Sequence, residues 1–246
     1  MSVFALVHGA WHGAWCFEKL VPALAAKGHR AVAFDLPGHG ADPTPRDQVT
    51  LSAYVERVGE ALARLREPAL LLGHSMGGLV IAQAGEEHAP RVRALVYLAA
   101  FLPRNGESLG GLAIPSAVTP NLRPDRDAGV VRFDPAGARD AFYHDCSDSD
   151  VEAASARLCP QPVAPWTAGV RLGARYEAIA RHYVECTLDR AIPIAEQRRM
   201  HAATPCRVHT LEAAHSPFYS MPDELAGVLD AIAREEAQRE SRPAGD

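Results

Sequence analysis

The segment Gly73-His-Ser-Met-Gly77 stands between an uninterrupted apolar run, Ala-Leu-Leu-Leu at 69–72, and a helical run over 76–87. That placement constrains the fold more than any other feature of the chain. To pass from a buried strand directly into a helix the backbone must turn sharply, and glycines are needed where a Cβ would collide. Such a turn holds the serine in a strained conformation, lifts its hydroxyl above the sheet edge and directs the free N–H groups of the helix start toward it. A sheet with Ser75 at the carboxyl end of one strand is the first expectation.

The rest of the chain supplies the matching rhythm. Apolar runs at 3–7, 30–34, 69–73 and 94–100 alternate with helical patterns at 15–27, 51–66 and 76–87. The second helix repeats Leu51, Tyr54, Val55, Val58, Leu62 and Leu65 on one face, with Thr50 as its N-cap. Runs that are apolar without alternation belong to parallel strands buried on both faces, so helices are expected on both sides. From 104 to 180 the rhythm breaks into prolines and short acidic stretches, read as an insertion. It resumes with a strand at 182–186, a helix at 194–202, a strand at 207–211 and a last helix from Pro222. That helix shows a capping box, Ser220-x-x-Asp223, and an apolar face of Leu225, Val228, Leu229 and Ile232. Residues from 240 read as a frayed tail. The fold class is α/β, with about six mostly parallel strands.

Composition excludes several classes of partner. Twenty-five basic residues against 30 acidic ones give a net charge of -5, which offers no attraction to nucleic acid or to an anionic membrane surface. No apolar run approaches the roughly 18 residues of a spanning helix, and the N-terminus lacks a basic leader segment, so a cytoplasmic protein is expected. Cys16, Cys146, Cys159, Cys186 and Cys206 form no C-x-x-C pair and read as small hydrophobes.

A serine hydroxyl needs a base, and the base needs an orienting acid. His215 follows the strand at 207–211 and precedes the last helix, at the sheet edge where ligands bind. The order serine, acid, histidine places the acid between them. Asp189, three residues past the strand at 182–186, is favoured over Glu107. The insertion acids Asp125, Asp127, Asp134, Asp140, Asp145, Asp148 and Asp150 read as a solvated face. Small residues after the first strand, His8-Gly-Ala10, suit an oxyanion hole formed by the N–H groups of Ala10 and Met76. His8-x-x-x-His12 is a weak zinc pattern because it lies in a loop. No metal and no cofactor is expected.

Taken together, His8-Gly-Ala-Trp-His-Gly-Ala-Trp15, Phe34-Asp-Leu-Pro-Gly-His-Gly40, Gly73-His-Ser-Met-Gly-Gly78, Phe142-Tyr-His-Asp-Cys146, Asp189-Arg-Ala-Ile-Pro193 and His215 resemble the α/β-hydrolase superfamily. Within it they resemble the branch of plant methylesterases, hydroxynitrile lyases and bacterial esterase relatives. The resemblance implies a core domain of 1–103 and 181–240, with 104–180 folded as a cap and 241–246 as a disordered tail. Lyases of the branch carry a threonine just after the first-strand histidine and a lysine just after the catalytic one; here those positions are Gly9 and Ser216. The expected activity is therefore serine-dependent hydrolysis of a small, largely uncharged carboxylic ester. The alternatives are a lyase or cyclase on the same scaffold, or a binding protein that turns over poorly. Gly9, Trp11, His74, Phe142, Trp166 and Ser216 are expected to contact substrate. Of the cap aromatics Phe133, Phe142, Tyr143, Trp166 and Tyr176, most are expected to form the cap's own core. A homodimer is the one protein partner this reading leaves open.

Overall fold

A computed structural model describes residues 1–241. Six strands form a parallel sheet: β1 (Val3–Val7), β2 (Arg30–Ala33), β3 (Ala69–His74), β4 (Val92–Leu98), β8 (Ala180–Cys186) and β9 (Arg207–Leu211), in the spatial order β2-β1-β3-β4-β8-β9. Every residue of β1 and β3 is buried. Because successive side chains point to opposite faces, both faces must be covered. The helices of the core are α1 (Leu20–Ala26), α2 (Leu51–Ala63) and α3 (Gly77–Glu87) in the first half. In the second half they are α9 (Ile194–Ala203), α10 (Pro217–Ser220) and α11 (Pro222–Ser241). α1 packs on α11, and α2 on α3. Thr50 caps α2, accepting the Ala53 N–H at 3.1 Å.

From β1 the chain goes to β2 on one side and β3 on the other, so the strand order reverses there. Loops leaving the carboxyl ends of β1 and β3 consequently part and leave a crevice, the usual ligand position in such sheets. The loop after β1 holds Gly9 to His12, and the loop after β3 holds Ser75.

Between β4 and β8 the chain forms α4 (Leu109–Leu112), β5 (Leu122–Asp125), β6 (Val130–Phe133), α5 (Ala138–Phe142), α6 (Asp148–Ser155), β7 (Gln161–Pro162), α7 (Ala164–Thr167) and α8 (Ala174–Ala178). β5, β6 and β7 make a small antiparallel sheet. Trp11, from the core, packs against Phe133, Phe142 and Trp166, and its indole N–H donates to Val131 O at 2.9 Å.

Several elements differ from the sequence reading. The helix expected over 15–27 is a 3₁₀ turn, Ala14–Phe17, followed by α1. Pro22 is the cause: inside a continuous helix it would meet the Glu18 carbonyl, whereas in the first turn of α1 its missing N–H costs nothing. The strand expected at 94–100 is Val92–Leu98, ended by Ala99 at φ 41°. The capping box does not form. Ser220 closes α10 instead, and its buried hydroxyl has no partner among the described residues. Tyr176 reaches beyond the insertion, its hydroxyl meeting that of Tyr97 on β4 at 3.1 Å. Asp150 is not simply solvated but pairs with Lys19 at 2.6 Å. α11 extends through Ser241, where the tail was expected to fray; the remainder of the expected tail, 242–246, lies outside the described residues. No helix among the described residues is long and apolar enough to cross a membrane.

Candidate active site

The elbow after β3 is built from close backbone contacts. Ser75 adopts φ 54°, a left-handed conformation that costs a non-glycine residue about 1–3 kcal/mol. Its surroundings fix it: Ser75 N–H donates to Leu98 O, and Ser75 O accepts from Phe101 N–H at 3.1 Å and Gly78 N–H at 3.1 Å. A Cβ on Gly78 would stand 2.0 Å from Phe101 O, and one on Gly77 2.8 Å from Val7 O. Only glycine lets α3 start this close to β1 and to the bend after β4. A Cβ on Gly9 would lie 2.9 Å from Ser75 Cβ, so the loop after β1 rests directly on the serine.

Asp189 and His215, from the loops after β8 and β9, meet through a 2.8 Å bond from His215 Nδ1 to Asp189 Oδ2. Both are buried. The carboxylate also accepts the N–H groups of Ala191 (2.7 Å) and Ile192 (2.9 Å) on Oδ1, and Gln197 Nε2 (3.1 Å) on Oδ2. Four donors on one buried carboxylate meet the requirement that a buried charge be hydrogen-bonded. Because Nδ1 donates to Asp189, the lone pair of neutral His215 is on Nε2. Glu107 takes no part; it is bound to Arg104 through both carboxylate oxygens.

The loop Gly9–His12 is held by histidines. His8 donates from Nδ1 to Gly9 O and accepts Leu36 N–H on Nε2. His12 donates from Nδ1 to Ala10 O at 2.7 Å and accepts the Tyr143 hydroxyl on Nε2 at 2.6 Å. Neither histidine has a nitrogen to spare for a metal. His74 donates from Nε2 to His215 O at 2.9 Å. The N–H groups of Ala10 and Met76 have no partner among the described residues.

Burial depresses the pKa of all three histidines, that of His12 to about 4. A folded value below the unfolded one means that the unfolded chain takes up protons first as pH falls. Stability is therefore full above about pH 6.5 and declines as pH drops toward the folded value. His12 alone accounts for about 3 kcal/mol over that interval, and His8 and His74 act in the same direction. The urea midpoint should fall steadily from pH 7 to pH 4.5; an unchanged midpoint would contradict this account.

Ser75 opens on a cavity of about 240 Å³. Trp11, Phe142 and Trp166 line it together with Ala10 and Met76. Gly9, His74 and Ser216 do not; they pack behind the serine and the histidine, and the buried Ser216 hydroxyl has no partner among the described residues. His215 itself lies behind Phe142, their ring centroids 5.8 Å apart. Much of the wall comes from residues the sequence did not single out, among them Phe101, Leu109, Ile114, Val118 and Leu122. Among the described residues, none that lines the cavity carries a charge.

One group among the described residues brings three metal-type ligand atoms together: His182, His209 and Glu235. None of them lines the cavity. Arg207 is paired with Glu235, and His182 Nε2 is held by Glu236 at 3.0 Å, so the cluster reads as an ion-pair network.

Residues 4–228 match the model of the alpha/beta hydrolase family. A pyrethroid hydrolase of Sphingobium wenxiniae is 32% identical over 241 residues, covering 91% of this chain and 85% of the relative. Methylesterase 7 of Arabidopsis thaliana is 32% identical over 248 residues, covering 94% and 95%. The crystal structure of a pyrethroid hydrolase from Sphingobium faniae superposes with a TM-score of 0.88 at 30% identity, over 96% of this chain and 99% of that one. With its parallel sheet, its strained serine between β3 and α3, and this match along nearly its whole length, the chain belongs to the alpha/beta hydrolase family.

Proposed function

We propose that this protein hydrolyses small, largely uncharged carboxylic esters through an acyl-enzyme formed on Ser75. The observation that carries the reading is a positive-φ serine opening on a cavity without a charged wall residue, next in the chain to His74, which is bonded to the His215 carbonyl of a buried Asp–His pair. The names of the relatives, a hydrolase and a methylesterase, point to the same reaction class.

In this mechanism His215 Nε2 takes the Ser75 proton as Oγ attacks the ester carbonyl carbon. Asp189 holds the imidazole in the required tautomer and balances the imidazolium. The carbonyl oxygen, now an anion, accepts the unpartnered N–H groups of Ala10 and Met76. His215 then gives its proton to the departing alcohol, and a water molecule repeats the sequence to release the acid. Residues 104–180 act as a cap on a core of 1–103 and 181–240, supplying most of the cavity wall. Substrate is held by apolar contact with Trp11, Phe142 and Trp166, while Gly9, His74 and Ser216 act from behind the site. A cytoplasmic location suits the five free thiols.

An uncharged wall also disfavours the lyase alternative. Cyanide leaving a cyanohydrin needs a nearby cation, and among the described residues no lysine or arginine lines the cavity. The test is a series of p-nitrophenyl esters from acetate to octanoate, run beside a succinate half-ester and mandelonitrile. Turnover is expected for the short neutral esters, with the anionic ester slower by about 100-fold or more, and no cyanide above the buffer rate. Cyanide release with no ester turnover would overturn the reading.

A further inference from the structure

The segment Phe142-Tyr-His-Asp-Cys146, at the end of α5, gives only Phe142 to the cavity wall. Two of its polar groups nevertheless reach the two loops on which the chemistry depends. Tyr143 is fully buried and donates its hydroxyl proton to His12 Nε2 at 2.6 Å. His12 donates in turn from Nδ1 to Ala10 O at 2.7 Å. A carbonyl oxygen can only accept, so this bond fixes the tautomer of His12 and leaves Nε2 as the acceptor that Tyr143 fills. The relay ends on Ala10, the residue whose N–H serves as an oxyanion donor.

Two residues beyond Tyr143, Asp145 Oδ2 accepts the N–H of Ala214 at 2.8 Å. That N–H belongs to the residue immediately before His215. The same loop is held by Leu188 N–H on Ala213 O (3.0 Å) and by His74 Nε2 on His215 O (2.9 Å). Of these three holds, the carboxylate is the one that comes from the insertion. Asp145 is also the one insertion acid bound to the loop that carries the base, which corrects its reading as part of a solvated face.

We infer that Tyr143 and Asp145 are positioning residues, a single strut that fixes the oxyanion loop at the carbonyl of Ala10 at one end and the loop of the base at the other. This rests on the roles given above to Ser75, His215 and Ala10. Catalysis depends on placement to a fraction of an ångström, so loosening either end should slow the reaction without altering the apolar wall that binds substrate. Removing the Tyr143 hydroxyl leaves His12 Nε2 buried without its donor, and Ala10 loses a fixed partner. Removing the Asp145 carboxylate frees the Ala213–Ala214 peptide in the loop that carries His215.

The test measures the rate at which a fluorophosphonate labels Ser75, together with kcat and KM for p-nitrophenyl butyrate, in Tyr143→Phe, Asp145→Ala and Asp145→Asn. Labelling reads the serine, base and oxyanion donors directly, whatever the natural substrate. Tyr143→Phe and Asp145→Ala should each slow labelling and lower kcat by about tenfold or more. KM should stay within about threefold and Tm within a few degrees, as for a group outside the binding wall. Asp145→Asn keeps an acceptor oxygen for Ala214 N–H and should restore most of the rate. Unchanged labelling in Tyr143→Phe and Asp145→Ala would overturn the strut, as would a loss that merely tracks lost Tm or is equal in Asp145→Ala and Asp145→Asn. If wild-type Ser75 is not labelled at all, the ester-hydrolase reading fails and the strut with it. Labelled wild type with unaffected variants overturns the strut alone.

Discussion

Ser75→Ala is expected to lower kcat for a short p-nitrophenyl ester by about 10⁶ and to abolish fluorophosphonate labelling. The size follows from covalent catalysis: without Oγ there is no acyl-enzyme, and only the oxyanion donors and substrate binding remain. The fold should be indifferent to the change. Ser75 meets its neighbours through backbone groups, the N–H to Leu98 and the carbonyl to Phe101 and Gly78, and alanine keeps all three. The strain at φ 54° is the same for either residue. Tm should therefore move by no more than a degree or two. Residual labelling would place the nucleophile elsewhere.

What the sequence revealed of this site, and what it hid, follows from the range over which each feature is determined. The elbow is a local object: strand, glycine, serine, glycine and helix are contiguous, and the backbone must turn there whatever the rest of the chain does. β1 and β3 are similarly self-declaring, since a run buried on both faces has no polar position to interrupt it. Boundaries were harder. Pro22 forbids a continuous helix from Trp15, yet it is compatible with a start at Leu20, and only the packed structure decides between a kink and a new beginning. Ser220 satisfies the pattern of a capping box, but α10 ends on it, and a residue that closes one helix is not free to cap the next.

The cavity wall was the least legible part. Leu109, Ile114, Val118 and Leu122 are apolar residues in an irregular segment without a helical or strand period, so no pattern separates those facing substrate from those facing each other. Asp145 illustrates the same difficulty for polar groups. Seven aspartates lie in the insertion, and nothing near any of them says that one will meet the peptide 69 residues downstream. Motif residues quoted for their resemblance, Phe142 to Cys146, carried the only hint. His215 and Asp189 were accessible because strand ends at a sheet's carboxyl edge are few and their order along the chain is restricted.

Asp189→Asn should lower kcat by about 10⁴ with little change in KM, while Glu107→Gln should stay within a few-fold of wild type. The argument rests on the donors around the carboxylate. Oδ1 accepts two backbone N–H groups, of Ala191 and Ile192, and Oδ2 accepts Gln197 Nε2 and His215 Nδ1. An asparagine has one oxygen and one NH₂ to place in these positions. If the NH₂ faced Ala191 and Ile192, it would oppose two backbone donors that cannot rotate away. It must therefore face His215 and Gln197; Gln197 Nε2 keeps Cys186 O and Ile192 O as acceptors, while an NH₂ opposite His215 requires a lone pair on Nδ1, which puts the imidazole proton on Nε2. That tautomer has no lone pair for the Ser75 proton. The base is lost although only one heavy atom changes identity and none need move, so a crystal structure of the variant should superpose on wild type. Glu107, fixed to Arg104 on the surface, offers no such route to the imidazole. If Glu107→Gln proved the more damaging of the two, the acid would lie after β4, and the roles given to the loops of β8 and β9 would have to be withdrawn.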